Sequence, residues 1–536
     1  MRPAPLFVLL IFAACLVAPA ATARPRLGVV VVFDQLRSVE VDRFAPLFGA
    51  GGFGGLDAAR YDAEYRYAST ETAPGHATLL TGANPVVHGI ITNQWFSADK
   101  RQYVVEDPDF PVHGTSAGTG RSPLQLAAPT LGDTMKAESG GRARVVTISL
   151  KDRAAILSGG RAADLAIWYD VEQGRFVSGR YWVEALPPAL DKLAAELPAR
   201  SMAAPPWTPL PVPAAHAWLA PVDDRPGEGS AKGLTRTFPH DHRALPLENQ
   251  RSLYRMLPSS MDDVFALALA AVDALELGAD DEPDLLVVSV STTDYIGHNF
   301  GPDSLEQLDT VRRADLALRA FVRALDARVG RRAFALVVSA DHGAPPLPAP
   351  QEGSRLPGGI LPVSKVVAAA ERAAAAAVPG GAAKKKRVLA FLAPQLFIDT
   401  ADLGSADGAR VLAAVRAALA ALPGIARVYD MTNPADTDAW SPFMREAAFP
   451  GRHAPIFVRQ EPRVVFLENE EKRGTDHGTP YLYDRRVPLF VVGPGVRTGR
   501  YAASVDARDL APTLAFLLGV PPPDMASGRP VGAVGD

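Results

Sequence analysis

Cysteine is nearly absent from this 536-residue chain: the single one, Cys15, lies in an apolar run at the N-terminus. Downstream of that run, disulfide bonds and thiolate chemistry are therefore excluded. An excess of one charge sign is absent too, since 55 basic residues face 59 acidic ones for a formal net charge of -4. No global basic field argues for a nucleic-acid partner, so partners must be read from local residues. Internal repeats are absent as well. The apolar run "PLFVLLIFAACLVAPA" is bracketed by Pro5 and Pro19 and is short for a stable membrane span. Arg2 precedes it and "ATA" at 21–23 follows with the small-x-small pattern of a cleavage site, while Phe12 makes "FAAC" a poor lipidation signal. Residues 1–23 are expected to be a signal peptide removed after Ala23, with the mature chain periplasmic or secreted and free of a membrane span.

What is present is a series of β-branched runs that each end in chemistry. "RLGVVVVFDQLR" delivers Asp34, "PDLLVVSVSTTDYIGH" delivers Asp294 and His298, and "RAFALVVSADHG" delivers Asp341 and His342. Continuous apolar runs of this kind read as strands of a parallel sheet buried on both faces. Between the last two, Leu308, Val311, Leu318, Phe321, Val322 and Leu325 repeat at helical spacing, with Asp303 or Ser304 as cap and Gly330 as stop. The alternation predicts an α/β fold: a doubly wound, mostly parallel sheet, with ligands gathered outside the carboxyl ends of its strands. Core segments are expected at 24–164, 256–345 and 461–536. A Pro-rich cap insertion is expected at 165–255 and a small inserted α/β subdomain at 346–460. Inside the latter, "KKKR" reads as a solvated loop. "RVPLFVVGPGV" and "ARDLAPTLAFLLGV" are expected to close the fold as strand and helix.

Taken singly, an aspartate after a strand is most simply a helix cap and a histidine a satisfied structural residue. Taken together, Asp34, Asp294, His298, Asp341, His342 and His477 supply three carboxylates and three imidazoles, enough for two zinc ions with positions left open for substrate. Four positive charges on two Zn²⁺ would be offset by three aspartates and one ionised hydroxyl, and "YASTETAPGHATLLTG" at 67–82 offers threonines for that role.

The order Asp34, Thr-x-Pro-x-His-x-Thr-x-x-Thr-Gly, Asp-Tyr-x-Gly-His, Asp-His-Gly and a late His-Gly resembles the alkaline phosphatase superfamily. The similarity is to the branch of nucleotide pyrophosphatase/phosphodiesterases and phosphate-irrepressible alkaline phosphatases. It implies that Thr72 is the nucleophile, that Asp34, Asp341 and His342 hold the zinc binding its oxygen, and that Asp294, His298 and His477 hold the other. Thr72 stands just before Pro74, a residue favoured at the first helical position, so its oxygen would face a helix N-terminus. Thr78 and Thr81 would lie inside the helix, Thr70 in the approaching loop, and His76 and His88 are read as structural.

Asn93 matches the family position that donates to a non-bridging phosphate oxygen. Lys151 and Arg153, expected on one side of an extended segment after "RVVTI", resemble the basic pair of the monoesterases; pairing with surface acids such as Asp152 is the simpler alternative. The expectation is a phosphatase acting on small phosphate monoesters through a phosphothreonine. A phosphodiesterase or nucleotide pyrophosphatase with the same metals is the alternative, and a non-catalytic metal- or phosphate-binding protein the remote one. Thr-Ala-Pro-Gly lacks the Cys/Ser-x-Pro-x-Arg signature of sulfatases. "FPGRHAPIFV" at 449–458 departs from the family pattern of Arg-Ser-Gly-Asp before a strand.

Overall fold

Val29–Val32 has no polar side chain to turn toward water, so a strand built from it must be covered on both faces. The computed structural model describes residues 24–534 apart from 98–99, 116–117, 332, 349–357, 379–385, 402 and 470. The expected signal peptide and Lys384 and Lys385 of "KKKR" lie outside the described residues. Leu27–Phe33 is the central strand of a nine-stranded sheet. Across the sheet the order is Gly499–Asp506, Ala59–Glu64, Arg486–Val492, Phe334–Ser339, Leu27–Phe33, Asp284–Val290, Val145–Ser149, Leu165–Asp170 and Arg175–Val177. The run from Phe334–Ser339 to Leu165–Asp170 is parallel throughout. Arg486–Val492 is antiparallel to both its neighbours, and Arg175–Val177 closes the far edge antiparallel. The mostly parallel α/β sheet is as expected, with one strand more than anticipated after Arg486–Val492.

Helices cover both faces. Gly28 gives room to Leu514 and Leu518 of the C-terminal helix Leu510–Leu518. Phe33, an odd number of positions away and so on the opposite face, packs on Phe265 of the helix Ser259–Ala274. The crossover helix Leu305–Val329 begins where Ser304 Oγ accepts from Gln307 N at 3.0 Å and ends at Gly330, φ +100°. Leu308, Val311, Leu318, Phe321 and Leu325 are buried; Val322, a neighbour of Phe321 around the helix, falls at the edge of the stripe and is half-buried. Each fully buried side chain of this kind contributes about 1.5–3 kcal/mol.

Two expectations change. Residues 165–177, expected to open the cap, form the last two strands of the main sheet, because "LAIWYD" is apolar enough to be buried as a strand. The interruption therefore begins after Val177 and contains the helices Pro188–Ala203 and Leu247–Tyr254. The second inserted region has its own antiparallel sheet in the order Val388–Leu392, Gln395–Ile398, Ile456–Gln460, Ile425–Asp430. With the helices Val363–Ala377 and Ser405–Ala420 it encloses a core of Val366, Leu396, Val411, Val415 and Leu419. Val464–Leu467 pairs with Gly359–Pro362 and carries this unit past residue 460. Arg387 is buried, not part of a solvated loop.

Candidate active site

The helix Thr72–Thr81 starts at Thr72 itself, with Glu71 as N-cap. Pro74 is thus the third helical residue and not the first, a position where a missing N–H still costs no intrahelical bond. Gly75 has no room for a Cβ against the backbone of Asp341, which explains the glycine of Thr-Ala-Pro-Gly-His. Thr81 Oγ1 donates to Ala77 O at 2.7 Å and Thr70 Oγ1 to Thr479 O at 3.1 Å, so both hydroxyls serve the fold. Thr78 Oγ1 donates to Tyr67 and contacts His88 Nε2, each at 3.1 Å, and burial pushes the His88 imidazole down to about 3, consistent with a structural role. Thr72 Oγ1 instead receives Lys151 Nζ at 3.1 Å and Arg153 Nη2 at 3.5 Å.

The local geometry of that cationic pair differs from the expectation. The strand ends at Ser149; Lys151 is the N-cap of the helix Asp152–Gly159 and Arg153 lies in its first turn. Both still converge on Thr72, because the helix start turns the two side chains toward the strand ends. Asp152 pairs with Arg121 at 2.8 Å and accepts from Tyr103 at 2.6 Å. Asn93 Oδ1 accepts from Ala73 N at 3.0 Å, occupying one free N–H of the Thr72 helix and leaving its amide nitrogen to donate elsewhere.

Asp34 and Asp341 directly follow two adjacent parallel strands, Asp294 lies with His298 in the helix Thr292–Phe300 that follows a third, and all three acids are buried. Lys151 Nζ lies 2.7 Å from Asp34 Oδ2 and 2.6 Å from Asp294 Oδ2. Burial alone would discharge this ammonium, but Asp294 and Asp34 outweigh it and hold it protonated well above its ordinary range. The Asp34 carboxyl is pushed up by burial and by Asp294 and Asp341.

The histidines share one orientation. Nδ1 of His298, His342 and His477 faces the backbone carbonyl of Thr475, Gly343 and Thr70 at 2.9, 3.0 and 2.6 Å. A carbonyl only accepts, so Nδ1 donates and Nε2 is the nitrogen turned inward. The Nε2 atoms of His298 and His477 lie 3.2 Å apart, and the His342 and His477 rings stack at 3.8 Å. Burial works against charge on His298, but Asp294 outweighs it and pushes that imidazole up to about 9.

Does this set fit a metal? His342 Nε2, Asp34 Oδ1 and Asp341 Oδ2 are buried without a hydrogen-bond partner among the described residues. Asp294, His298 and His477 bring ligand atoms within 4.8 Å of one another, as do Asp34, Asp294 and His342. The second triple contains Asp294 where the resemblance implied Asp341; Asp341 Oδ2 still stands 3.5 Å from the same His342 Nε2. Orphaned buried oxygens facing inward nitrogens cost several kcal/mol unless cations sit among them, and this nitrogen–oxygen donor set suits divalent ions.

One positioning residue carries no sequence signal of its own. Gln35 adopts φ +66°, which lets its N–H donate to Asp341 Oδ1 at 3.1 Å and its Nε2 to Asp294 Oδ1 at 2.9 Å. Gly297 of Asp-Tyr-Ile-Gly-His leaves the space that Gln35 Oε1 fills. His76 bridges Thr72 O and Ser289 Oγ, both at 2.8 Å, and abuts Asp341 Oδ2 at 3.2 Å, so it helps hold Thr72 and Asp341 in place. In the segment that departs from the family pattern, Arg452 donates to Gly89 O and Gln125 O, both at 2.8 Å, and stacks on Trp95.

This strand-end cluster of acids, imidazoles and a cation-flanked hydroxyl defines an enzyme class. The family model of type I phosphodiesterase / nucleotide pyrophosphatase matches residues 29–480, and the chain belongs to that family, as a hydrolase of phosphoric ester bonds. The chain is 30% identical over 525 residues to the alkaline phosphatase PhoV of Synechococcus elongatus, covering 95% of this chain and 93% of the relative. It is 30% identical to the alkaline phosphatase PafA of Elizabethkingia meningoseptica, covering 96% and 95%. The crystal structure of wild-type PafA superposes with a TM-score of 0.87 at 28% identity, over 96% of this chain and 100% of that one. Murine ectonucleotide pyrophosphatase/phosphodiesterase 5 shares the fold, with a TM-score of 0.52 at 14% identity over 92% and 95%.

Proposed function

We propose that this protein is an exported, zinc-dependent phosphatase that hydrolyses small phosphate monoesters through a phosphothreonine at Thr72. The observation that carries this reading is the convergence of Lys151 Nζ and Arg153 Nη2 on Thr72 Oγ1. Two cations on the attacking oxygen's side match the dianionic phosphoryl group of a monoester; a diester has one charge fewer and a second substituent in that space. Asp34, Asp341 and His342 would hold one zinc beside Thr72, and Asp294, His298 and His477 the other. Zinc bound there supplies the Lewis acidity that favours an ionised threonine and stabilises the departing oxygen.

The residues of the chain do the rest. Thr72 Oγ1 attacks phosphorus as the bond to the ester oxygen breaks, which leaves the phosphoryl group on Thr72. Lys151, Arg153 and the Asn93 amide nitrogen donate to its equatorial oxygens, and the first N–H groups of the Thr72 helix favour the negative charge. Water then attacks phosphorus from the vacated side, the threonine oxygen leaves, and inorganic phosphate is released. Export rests on the N-terminal pattern, and no helix among the described residues is long and apolar enough to cross a membrane.

The test compares phenyl phosphate with methyl phenyl phosphate. Lys151→Ala is expected to lower kcat/KM for the monoester by roughly 10²–10³ and to leave the diester nearly unchanged. A wild-type preference for the diester that survives Lys151→Ala would replace this reading with the phosphodiesterase one.

A further inference from the structure

Beside the cationic pair a cavity of about 330 Å³ is lined by Lys151 and Arg153 on one side and by Arg255 and Tyr295 on the other. Arg255 is not used by the mechanism above. Its guanidinium donates only to neutral acceptors: Nε to Ser252 O at 3.2 Å, Nη2 to Ser252 Oγ at 3.2 Å, and Nη1 to Tyr295 Oη at 2.9 Å. Among the described residues it makes no ion pair, so three bonds fix the plane while the charge stays uncompensated and two N–H groups remain free. Arg255 Cζ lies 4.5 Å from the Tyr295 ring centroid and Lys151 Nζ 5.2 Å from the same centroid. One ring therefore links the phosphoryl-binding ammonium to the unpaired guanidinium.

Two of the three acids lining the cavity are otherwise engaged. Asp152 is neutralised by Arg121, and Asp170 accepts Gln173 N–H at 2.8 Å to close a turn. Glu172 is exposed at the rim.

We infer that Arg255, set by Ser252 and Tyr295, is a specificity residue that receives a second anionic group on the alcohol portion of the substrate. The favoured substrates are phosphate monoesters carrying a carboxylate or a further phosphate a short linker from the ester. The inference rests on the monoesterase assignment and adds the substrate class to it. A charged acceptor gains more from a guanidinium than a neutral one does, so the benefit follows the second charge and not the size of the substituent.

The test uses the full chain loaded with zinc and two near-isosteric esters, 4-carboxyphenyl phosphate and 4-carbamoylphenyl phosphate. The ratio of their kcat/KM values is expected to fall about tenfold in Arg255→Met, mainly through KM, and to be partly restored in Arg255→Lys. In the wild type the ratio should also fall as ionic strength rises, a readout that needs no variant to fold. An unchanged ratio in Arg255→Met, or a wild-type ratio indifferent to salt, overturns the subsite while leaving the phosphatase standing. Failure of the wild type to turn over either ester overturns the monoesterase assignment, and the subsite with it.

Discussion

The carboxyl edge of the main sheet and the inserted α/β unit treat their carboxylates differently: those of the insert are half-buried and ion-paired, those of the edge buried and open. In the insert, Asp436 accepts from Arg416 at 3.1 Å, from Arg427 at 2.5 Å and from the Asp430 N–H at 2.7 Å. Asp438 is likewise shared among Tyr429, Trp440 and Ser441. At the sheet edge, Asp34 Oδ1, Asp341 Oδ2 and His342 Nε2 have no such partners among the described residues. Carboxylates that are matched by guanidinium groups in one place and left open beside imidazoles in another mark the open ones as candidates for an ion from outside the chain, because an unmatched buried carboxylate carries a large desolvation cost.

The sharpest way to break this contrast is to remove what the edge is proposed to do. Thr72→Ala should lower kcat on phenyl phosphate by roughly four orders of magnitude or more and abolish acid-stable ³²P labelling of the protein, with thermal melting nearly unchanged. Retained turnover would end the nucleophile assignment. Chelation by dipicolinate should abolish activity and lower the melting temperature, and Zn²⁺ should restore both; a chelated protein that melts as before would mean that the edge needs no ion.

Glu228 carries the same open pattern beside the helix Thr292–Phe300: it is buried, neither carboxylate oxygen has a hydrogen-bond partner among the described residues, and Gly229 N donates to Asn299 O at 2.7 Å. Burial, with Glu306 adding to it, pushes this carboxyl up to about 8. Between its ordinary value and about 8 the folded protein holds a proton that the unfolded chain releases. The stability from this group is complete below the ordinary value and lost as pH rises toward about 8. Glu228→Gln should therefore melt like the wild type at pH near 5 and more stably at pH near 9, by at most a few kcal/mol. A variant that loses stability at both would show that the carboxylate form is needed. The smallest effect is expected in the insert, where Asp436→Ala should cost about 1–2 kcal/mol in denaturant titration and leave kcat/KM within twofold. A large loss of activity there would couple the two regions.

Much of the edge was legible before any coordinates. Asp34, Asp294 and Asp341 follow apolar runs long enough to be buried strands, and the rule that ligands gather at carboxyl ends pointed to one site. Lys151 and Arg153 were legible as a pair but not as a helix start, because "SLKDRAAIL" does not say where extension stops. Gln35 was missed because its role depends on a positive φ and on two carboxylates from other strands. Arg255 was missed because a lone arginine in an insertion looks like any solvated one. The strands Leu165–Asp170 and Arg175–Val177 were assigned to the cap, since their neighbour in the sheet was not apparent from their own residues.

The sequence by itself determined which segments are apolar enough to be strands, where the crossover helix begins and ends, and which carboxylates, imidazoles and hydroxyls are candidates for the site. These are local properties, written in periodicity and residue type. Only the tertiary structure decided that Asp34 meets Lys151, that three imidazoles turn Nε2 inward, and that Arg255 and Lys151 share the Tyr295 ring. Such pairings join residues far apart in the chain and depend on strand order and on which carbonyls the loops leave free, which only the packing of the whole sheet selects.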